Sequence, residues 1–253
     1  MAALINEAAT VAIFGGDGCR DAQAKVRALS QKLMAPVGYS LKGKQWLEHD
    51  NPNAVGMTGL LGYGGCWEAI NHADVLLMLG TDFPFSDFLP HKDVKVIQVD
   101  RDPGHLGRGV PLSVSVVGDG KATLEDLAPL VVKKPDDKFL RTHVTKTERA
   151  HQQLQHYVTK GPGIKPIRSE YVAAVLDELA DDALFFADTG TPCIWAARHI
   201  HYGPRHRLFG SFTWTSMGSA SPNAFGAQLA FAGRQTIALC GEGASPCSPW
   251  ATF

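Results

Sequence analysis

Short apolar runs separated by segments of helical periodicity constrain the fold of this 253-residue chain more than any other feature. Three of these runs are VAIFGG at 11–16, VLLMLG at 75–80 and VKVIQVD at 94–100. Strands that are apolar on both faces are buried from both sides, which is typical of parallel sheets covered by helices. The sequence therefore predicts an α/β protein with a doubly wound parallel sheet.

Composition excludes several functional classes. The formal net charge is -1, from 24 basic and 25 acidic residues, so we expect no nucleic-acid partner. The five cysteines form no CxxC pair and are odd in number, which argues against a zinc site or a disulfide framework and favours buried free thiols. The N-terminal residues do not resemble a signal peptide, and no run approaches the ~20 apolar residues of a membrane span.

A change of composition divides the chain. Residues 133–168 are charged and rich in Gln and end in Gly-Pro and Lys-Pro, which indicates a linker with a surface helix. The linker follows a first domain at 1–132 and precedes a second α/β unit at 169–253. In that unit the pattern predicts a helix at 169–179 and strands at 183–188 and 236–240.

Four glycine-rich or acidic segments of the first domain carry residue types that bind ligands at the strand ends of such sheets. GGDGC at 15–19 lacks the third glycine of a dinucleotide fingerprint and is equally well an ordinary turn. GTDFPF at 80–85 would suit a flat heteroaromatic ligand and its diphosphate, or only place two aromatic rings in the core. GMTGLLGYGG at 56–65 would let the backbone approach a ligand, and Asp100 would accept hydrogen bonds from ribose hydroxyls or cap a turn. Together they favour a nucleotide site.

The second unit has two further candidates. Asp188 and Gly190 end a predicted strand, and a helix follows from Thr191, whose free amides would hold a diphosphate or simply be capped. The segment WTSMGSASPNAFGAQ at 214–228 opens another predicted helix, 217–231, with small residues, which permits close contact with a cofactor or with another helix.

These segments in this order resemble the thiamine-diphosphate-dependent pyruvate oxidases, including the flavoproteins that pass electrons to quinone. The matching stretches include LKGKQWLEHDNPNAVGMTGLLGYGG, GTDFPF, VIQVDRDP, ADTGTPCIWAAR and IALCGEG. The resemblance runs from about Val11 to Gly243. It implies a Rossmann-like central FAD-binding domain followed by a truncated thiamine-diphosphate-binding domain, with an N-terminal domain of the parent enzyme missing.

The resemblance also assigns cofactor-binding residues to this chain. It implies that Met217 is the apolar wedge that bends the thiamine, and that Asp100 contacts the adenosine end of FAD. The remaining FAD residues it implies are Met57, Thr58, Gly59 and Leu60 near the flavin and Gly80, Thr81, Asp82, Phe83 and Pro84 along the nucleotide. Thr215, Ser216 and Gly243 complete the implied thiamine diphosphate set.

The implied activity of the intact parent is oxidative decarboxylation of pyruvate to acetate and CO2, with electrons passed through FAD to quinone. The glutamate that activates thiamine belongs to the missing N-terminal domain, so the resemblance assigns this chain no catalytic residue and implies a fragment that is inactive alone. It also implies a cytoplasmic homotetramer that can lie at the inner face of the plasma membrane through a C-terminal segment absent here. An acetolactate-synthase-like carboligase and a non-catalytic dinucleotide-binding module remain alternatives.

The end of the sequence departs from the family pattern. The family binds magnesium with the Asp of a Gly-Asp-Gly motif, whereas this chain has Glu242, and a lone longer carboxylate should bind magnesium poorly. Restoring one base after the GA of the Glu242 codon can give Gly-Asp-Gly-Gly-Phe-Ser-Met, which resembles the family's continuation. We therefore predict that residues 244–253 are frameshifted, or that gene prediction stopped at a sequencing error.

Overall fold

The computed structural model describes residues 1–90 and 93–243 of the chain. The fold divides into two compact units, Met1–His151 and Gln152–Phe253. Each unit is described by itself below.

The first unit is built on a parallel sheet of six strands in the order β3-β2-β1-β4-β5-β6. The strands are β1 (Val11–Gly15), β2 (Val37–Tyr39), β3 (Ala54–Met57), β4 (Val75–Leu79), β5 (Lys95–Asp100) and β6 (Val114–Val117). The order reverses direction between β1 and β4, which makes their carboxyl ends the expected ligand crevice of a doubly wound sheet. The predicted fold class is confirmed.

Six helices accompany this sheet. They are α1 (Ala2–Glu7), α2 (Gln23–Leu33), α3 (Leu41–Leu47), α4 (Cys66–His72), α5 (Gly120–Leu127) and α6 (Lys138–Thr159). Every residue of β1 and β4 is buried, and Phe14, Met78 and Ile70 belong to one hydrophobic core cluster. Burial of these apolar side chains on both faces of the sheet is the main stabilising contribution to the unit.

Helix α6 lies in the segment predicted as a linker with a surface helix. Its residues His143 and Thr147 are buried, and the Thr147 hydroxyl accepts a hydrogen bond from the Gly65 backbone amide at 3.0 Å. Lys146 forms an ion pair with Glu68 on α4. The first half of α6 is therefore packed onto the first unit, and the boundary between the two units falls within the helix.

The second unit contains a parallel sheet of three strands in the order β8-β7-β9. Its strands are β7 (Leu184–Ala187), β8 (Arg207–Phe209) and β9 (Thr236–Leu239), and its helices are α7 (Ser169–Leu179), α8 (Thr191–His199) and α9 (Ala220–Ala230). The central strand β7 is buried throughout, and Ala220 and Ala224 of α9 pack against it.

The sequence did not predict four elements of the first unit, namely α1, α3, α5 and β3. Strand β3 overlaps the stretch read as a glycine-rich loop, and α3 contains Gly43, which interrupts the helical pattern. The last helix begins at Ala220 instead of near Met217, because Thr215 and Gly218 have left-handed backbone conformations with φ of 51° and 72°. No helix in the described part of the chain is long and apolar enough to cross a bilayer.

Candidate functional site

The turns that follow β1 and β4 meet backbone to backbone where the strand order reverses. The Gly16 amide donates to the Leu79 carbonyl at 2.9 Å, and the Gly18 amide donates to the Gly80 carbonyl at 3.0 Å. A Cβ atom at Gly16 would lie 2.5 Å from the Gly80 carbonyl oxygen, and one at Gly18 would lie 2.7 Å from the Gly80 Cα. Only glycine fits this contact, so the two turns form one continuous backbone surface.

The loop after β3 is closed at its base by Met57 and Tyr63. Each of these residues donates its backbone amide to the carbonyl of the other, at 3.1 Å in both directions, and Gly62 donates to the Gly59 carbonyl at 2.9 Å. We call residues 58–62 the flavin loop, after the cofactor contact that the family resemblance implies for Thr58, Gly59 and Leu60. Within it the buried Thr58 donates its hydroxyl to the Phe88 carbonyl at 3.4 Å, whereas Leu60 is 70% exposed. Met57 is 1% exposed, and its backbone amide and carbonyl both pair with Tyr63, so its implied contact with a flavin stays a prediction.

The loop after β4 is anchored by aromatic packing. The buried Phe83 ring lies edge-on to Phe14 with centroids 5.3 Å apart, and Phe85 packs against Phe83 at 5.5 Å. Thr81 is buried, whereas Pro84 and Phe85 are exposed at this edge of the sheet. Of the two aromatic rings that the sequence could have placed in the core, only Phe83 is buried, and the ligand-lining role of this loop stays a prediction.

Asp100 ends β5 with a nearly buried carboxylate. Its Oδ1 accepts the Asp102 backbone amide at 2.9 Å and contacts Nδ1 of His105 at 3.2 Å. Within the described part of the chain its Oδ2 has no hydrogen-bond partner, so that oxygen can accept from a ligand hydroxyl. Asp100 therefore both caps the turn and retains an acceptor for a ligand, the two roles left open by the sequence.

Three residues that join these loops were missed by the sequence analysis. Gln98 donates through Nε2 to the carbonyls of Thr81 and His105, both at 3.1 Å. Arg108 pairs with Asp82 at 2.5 Å, and His105 Nε2 lies 3.8 Å from the same Asp82 carboxylate. Gln98 is the one polar residue in the interior of β5, which is otherwise apolar. This break in the apolar pattern could have identified Gln98 from the sequence.

Thr58 and Thr81 follow strands β3 and β4, and Asp100 ends β5, so all three lie at the carboxyl edge of the first sheet. This edge combines hydroxyl groups, glycine backbone, an exposed aromatic ledge and a carboxylate with a free oxygen. These are the groups that a dinucleotide requires for its ribose, diphosphate and ring systems. The residues present fit such a cofactor.

The second unit places Asp188 at the carboxyl end of β7, fully buried. Its Oδ1 accepts the backbone amides of Ser219 and Ala220 at 2.8 and 2.9 Å and so fixes the start of α9. Its Oδ2 and the Thr189 hydroxyl are buried without a hydrogen-bond partner. Two unpartnered buried polar atoms beside the start of α8 fit a site that receives a polar ligand.

The segment implied to lie beneath thiamine is an exposed turn that precedes α9. The Thr215 amide donates to the Ser211 carbonyl at 2.7 Å, and the Ser211 hydroxyl donates to the Ser216 hydroxyl at 3.0 Å. Met217 is 51% exposed, so its apolar side chain is accessible to solvent at this turn. The role of Met217 as a wedge stays a prediction.

Glu242 and Gly243 lie exposed in the turn after β9. Residues 1–90 and 93–243 contain no group of three or more His, Cys, Asp or Glu side chains placed to hold a metal ion. The described residues therefore do not supply a magnesium site around Glu242. The frameshift predicted for 244–253 concerns residues outside the described part of the chain.

Three of the cysteines are buried free thiols, as predicted. Burial raises the pKa of the Cys19 and Cys193 thiols to about 12, and it raises the pKa of Cys66 further. Cys240, which follows β9 at the edge of the described three-stranded sheet, is exposed, and the sequence did not predict this. None of the three buried thiols has the thiolate character of a catalytic nucleophile.

Comparison with known proteins gives two family matches. Residues 1–127 match the thiamine pyrophosphate enzyme, central domain, and residues 188–248 match the thiamine pyrophosphate enzyme, C-terminal TPP binding domain.

The chain is also similar to individual proteins with different named activities. The chain is 32% identical over 94% of its length to the Bacillus subtilis protein YdaP, whose name describes it as thiamine pyrophosphate-containing. It is 28% identical over 94% of its length to the acetolactate synthase large subunit of Parasynechococcus marenigrum, and 26% identical over 91% to the pyruvate oxidase of Lactiplantibacillus plantarum. These alignments cover 41%, 39% and 38% of the respective relatives, so the chain spans about two fifths of their length.

Proposed function

Because the chain belongs to the thiamine pyrophosphate enzyme family, we propose that it is part of a FAD- and thiamine-diphosphate-dependent pyruvate oxidoreductase. The observation that carries the FAD part of this proposal is the shared position of Thr58, Thr81 and Asp100 at the carboxyl edge of the first sheet.

Each loop at this edge would contact a different part of FAD. Asp100 would accept a hydrogen bond from a ribose hydroxyl through its free Oδ2, and the backbone of residues 80–84 would line the nucleotide. The flavin loop would approach the ring system with backbone from Gly59 and with the exposed Leu60. Apolar and backbone contacts suit a flat ring that carries hydrogen-bonding groups only on its edges.

In the second unit, the exposed turn 215–217 and the unpartnered Thr189 hydroxyl would face thiamine diphosphate. Asp188 would act on the ligand indirectly, because its Oδ1 holds the first amides of α9 and thereby the end of that turn. When bound, thiamine diphosphate supplies the carbon nucleophile for decarboxylation of a 2-keto acid, and FAD supplies the electron acceptor. No step is assigned to magnesium.

The activity, substrates and assembly of the intact protein belong to the same proposal. Pyruvate is the proposed substrate and quinone the proposed electron acceptor. The protein is proposed to be a cytoplasmic homotetramer that can lie at the inner face of the plasma membrane.

A carboligase is the second candidate, since the chain is 28% identical to an acetolactate synthase large subunit over 94% of its length. A full-length protein that contains this chain separates the two candidates. Pyruvate-dependent quinone reduction without acetolactate supports the oxidoreductase. Acetolactate formation without quinone reduction would replace it with the carboligase.

Titration of the purified chain with FAD, and separately with NAD, tests the cofactor assignment. We expect FAD to bind and NAD not to bind, and Asp100→Asn to weaken FAD binding about tenfold, the loss of one hydrogen bond to a charged group. Asp126→Asn is the matched control, because Asp126 is exposed on α5, away from the carboxyl edge. Binding of NAD in place of FAD, or equal affinity for FAD in both variants, contradicts the assignment.

A further inference from the structure

A buried ionic cluster lies beside the flavin loop in the first unit. We call Tyr39, Lys44, Glu48 and Tyr63 the Glu48 cluster. Both tyrosine hydroxyls donate to Oε1 of Glu48 at 2.7 Å, and the Lys44 ammonium pairs with Oε2. Lys44 is 2% exposed. A buried carboxylate with this many donors is held in one position.

The charge states of the cluster agree with this geometry. Burial by itself would raise the pKa of the Glu48 carboxyl, but the adjacent Lys44 charge and the hydrogen bonds from Lys44, Tyr63 and Tyr39 hold that pKa below its usual value. Burial and the Glu48 charge raise the pKa of both tyrosines well above the usual value. Glu48 is therefore an ionised acceptor and both tyrosines are protonated donors at neutral pH.

Tyr63 connects this cluster to the flavin loop. Its backbone forms both hydrogen bonds with Met57 that close the loop. Its carbonyl oxygen also lies against Gly56 of β3, since a Cβ atom added at Gly56 would be only 2.3 Å from that oxygen. A displacement of the Tyr63 side chain would thus move the base of the loop directly.

We propose that Tyr63 is a positioning residue, which holds the flavin loop in place through its hydrogen bond to Glu48. The inference rests on the proposed function, since it assumes that this loop contacts FAD. It goes beyond that function because it assigns the conformation of the loop to the Lys44–Glu48 ion pair at the end of α3, and not to the loop's own sequence.

Tyr39 provides a matched control. Its hydroxyl donates to the same oxygen of Glu48 at the same distance as that of Tyr63, although Tyr39 is fully buried and Tyr63 only partly. Tyr39 belongs to β2, where it is the ladder partner of Met57, but unlike Tyr63 it makes neither of the two backbone hydrogen bonds that close the flavin loop. Removal of either hydroxyl leaves Glu48 with Lys44 and one tyrosine, so Tyr39→Phe and Tyr63→Phe make comparable changes to the cluster.

Hydrogen exchange of the ligand-free chain and FAD titration test the proposal together. For Tyr63→Phe we expect amide exchange across 58–62 to accelerate about tenfold and the FAD dissociation constant to rise about tenfold. For Tyr39→Phe we expect less than a twofold change in both, although urea unfolding shows a similar loss of stability of the unit in each variant.

Two results would overturn the proposal: unchanged loop exchange in Tyr63→Phe, or the same acceleration in both variants. If the unmodified chain binds no FAD, the proposed function fails, and the exchange comparison still decides whether Tyr63 holds the loop.

Discussion

Gly59 faces the ring of Phe83, and a Cβ atom added at Gly59 would lie 2.8 Å from Cζ of that ring. Gly59 follows β3 and Phe83 follows β4, and β2 and β1 lie between these strands in the sheet. The two loops therefore meet over the ends of the intervening strands. This contact gathers the proposed FAD residues at one edge of the sheet.

Gly59→Ala tests the importance of that contact. Gly59 has φ of 95°, so alanine adds backbone strain of about 1–3 kcal/mol as well as the collision with Phe83. We expect FAD affinity to fall and urea unfolding of the first unit to shift to lower concentration. Gly233→Ala is the control, because Gly233 has φ of 88° with nothing within 4 Å of an added Cβ. It should destabilise the second unit through strain alone and leave FAD binding unchanged; an equal loss of FAD binding would contradict the contact's role.

Asp188→Ala should destabilise the second unit by about 1–3 kcal/mol, because it leaves the amides of Ser219 and Ala220 without an acceptor. Asp188→Asn retains one oxygen for those amides and removes the charge from the unpartnered Oδ2. We therefore expect the asparagine variant to lose less than half as much stability. Chemical unfolding that follows the second unit measures both variants, and equal losses would refute the capping role of Oδ1.

His143 predicts a pH dependence of stability in the first unit. Burial lowers the pKa of His143, opposed by its hydrogen bond to the Phe139 carbonyl. The unfolded state therefore binds the proton more readily than the folded state. The contribution of neutral His143 to the free energy of unfolding is fully present above the unfolded-state pKa of about 6.5. It is lost as pH falls through the lower pKa of the folded state.

His143→Gln should flatten the decline in unfolding free energy between about pH 7 and pH 5. Lys146, Glu68 and His72 also face His143 and remain in the variant. His156→Gln is the control, since His156 is exposed on the same helix. The prediction is wrong if the His143 and His156 variants show the same pH profile in urea unfolding.

An apolar face on α9 predicts self-association. Phe225 and Leu229 are 67% and 72% exposed, and residues four apart lie on the same side of a helix. Phe225→Ser combined with Leu229→Ser should reduce the apparent mass in light scattering at high protein concentration. Val117→Ser in the first unit, where Val117 is 60% exposed, serves as the control. A monomer before any substitution would contradict this prediction.

The apolar runs of β1, β4 and β5 could be recognised from the sequence because their burial on both faces selects apolar residues at every position. Strand β3 could not, since its glycine and the glycines that follow give it the composition of a loop. It is a strand because Tyr63 and β2 supply partners for its backbone. The Glu48 cluster was likewise missed, because its tyrosine contacts join residues 9 to 24 positions apart in sequence.

The sequence by itself determined the alternation of strands and helices, the parallel sheet and the residues that follow its strands, because local apolar periodicity and glycine placement encode these. Only the tertiary structure decided that Gln98 joins the loops after β4 and β5, that Asp188 caps a helix 31 residues later, and that Glu48 fixes Tyr63. Such contacts depend on distances between distant segments. Hydrogen bonds form only where packing brings donor and acceptor within about 3 Å, and no local pattern in the sequence specifies that.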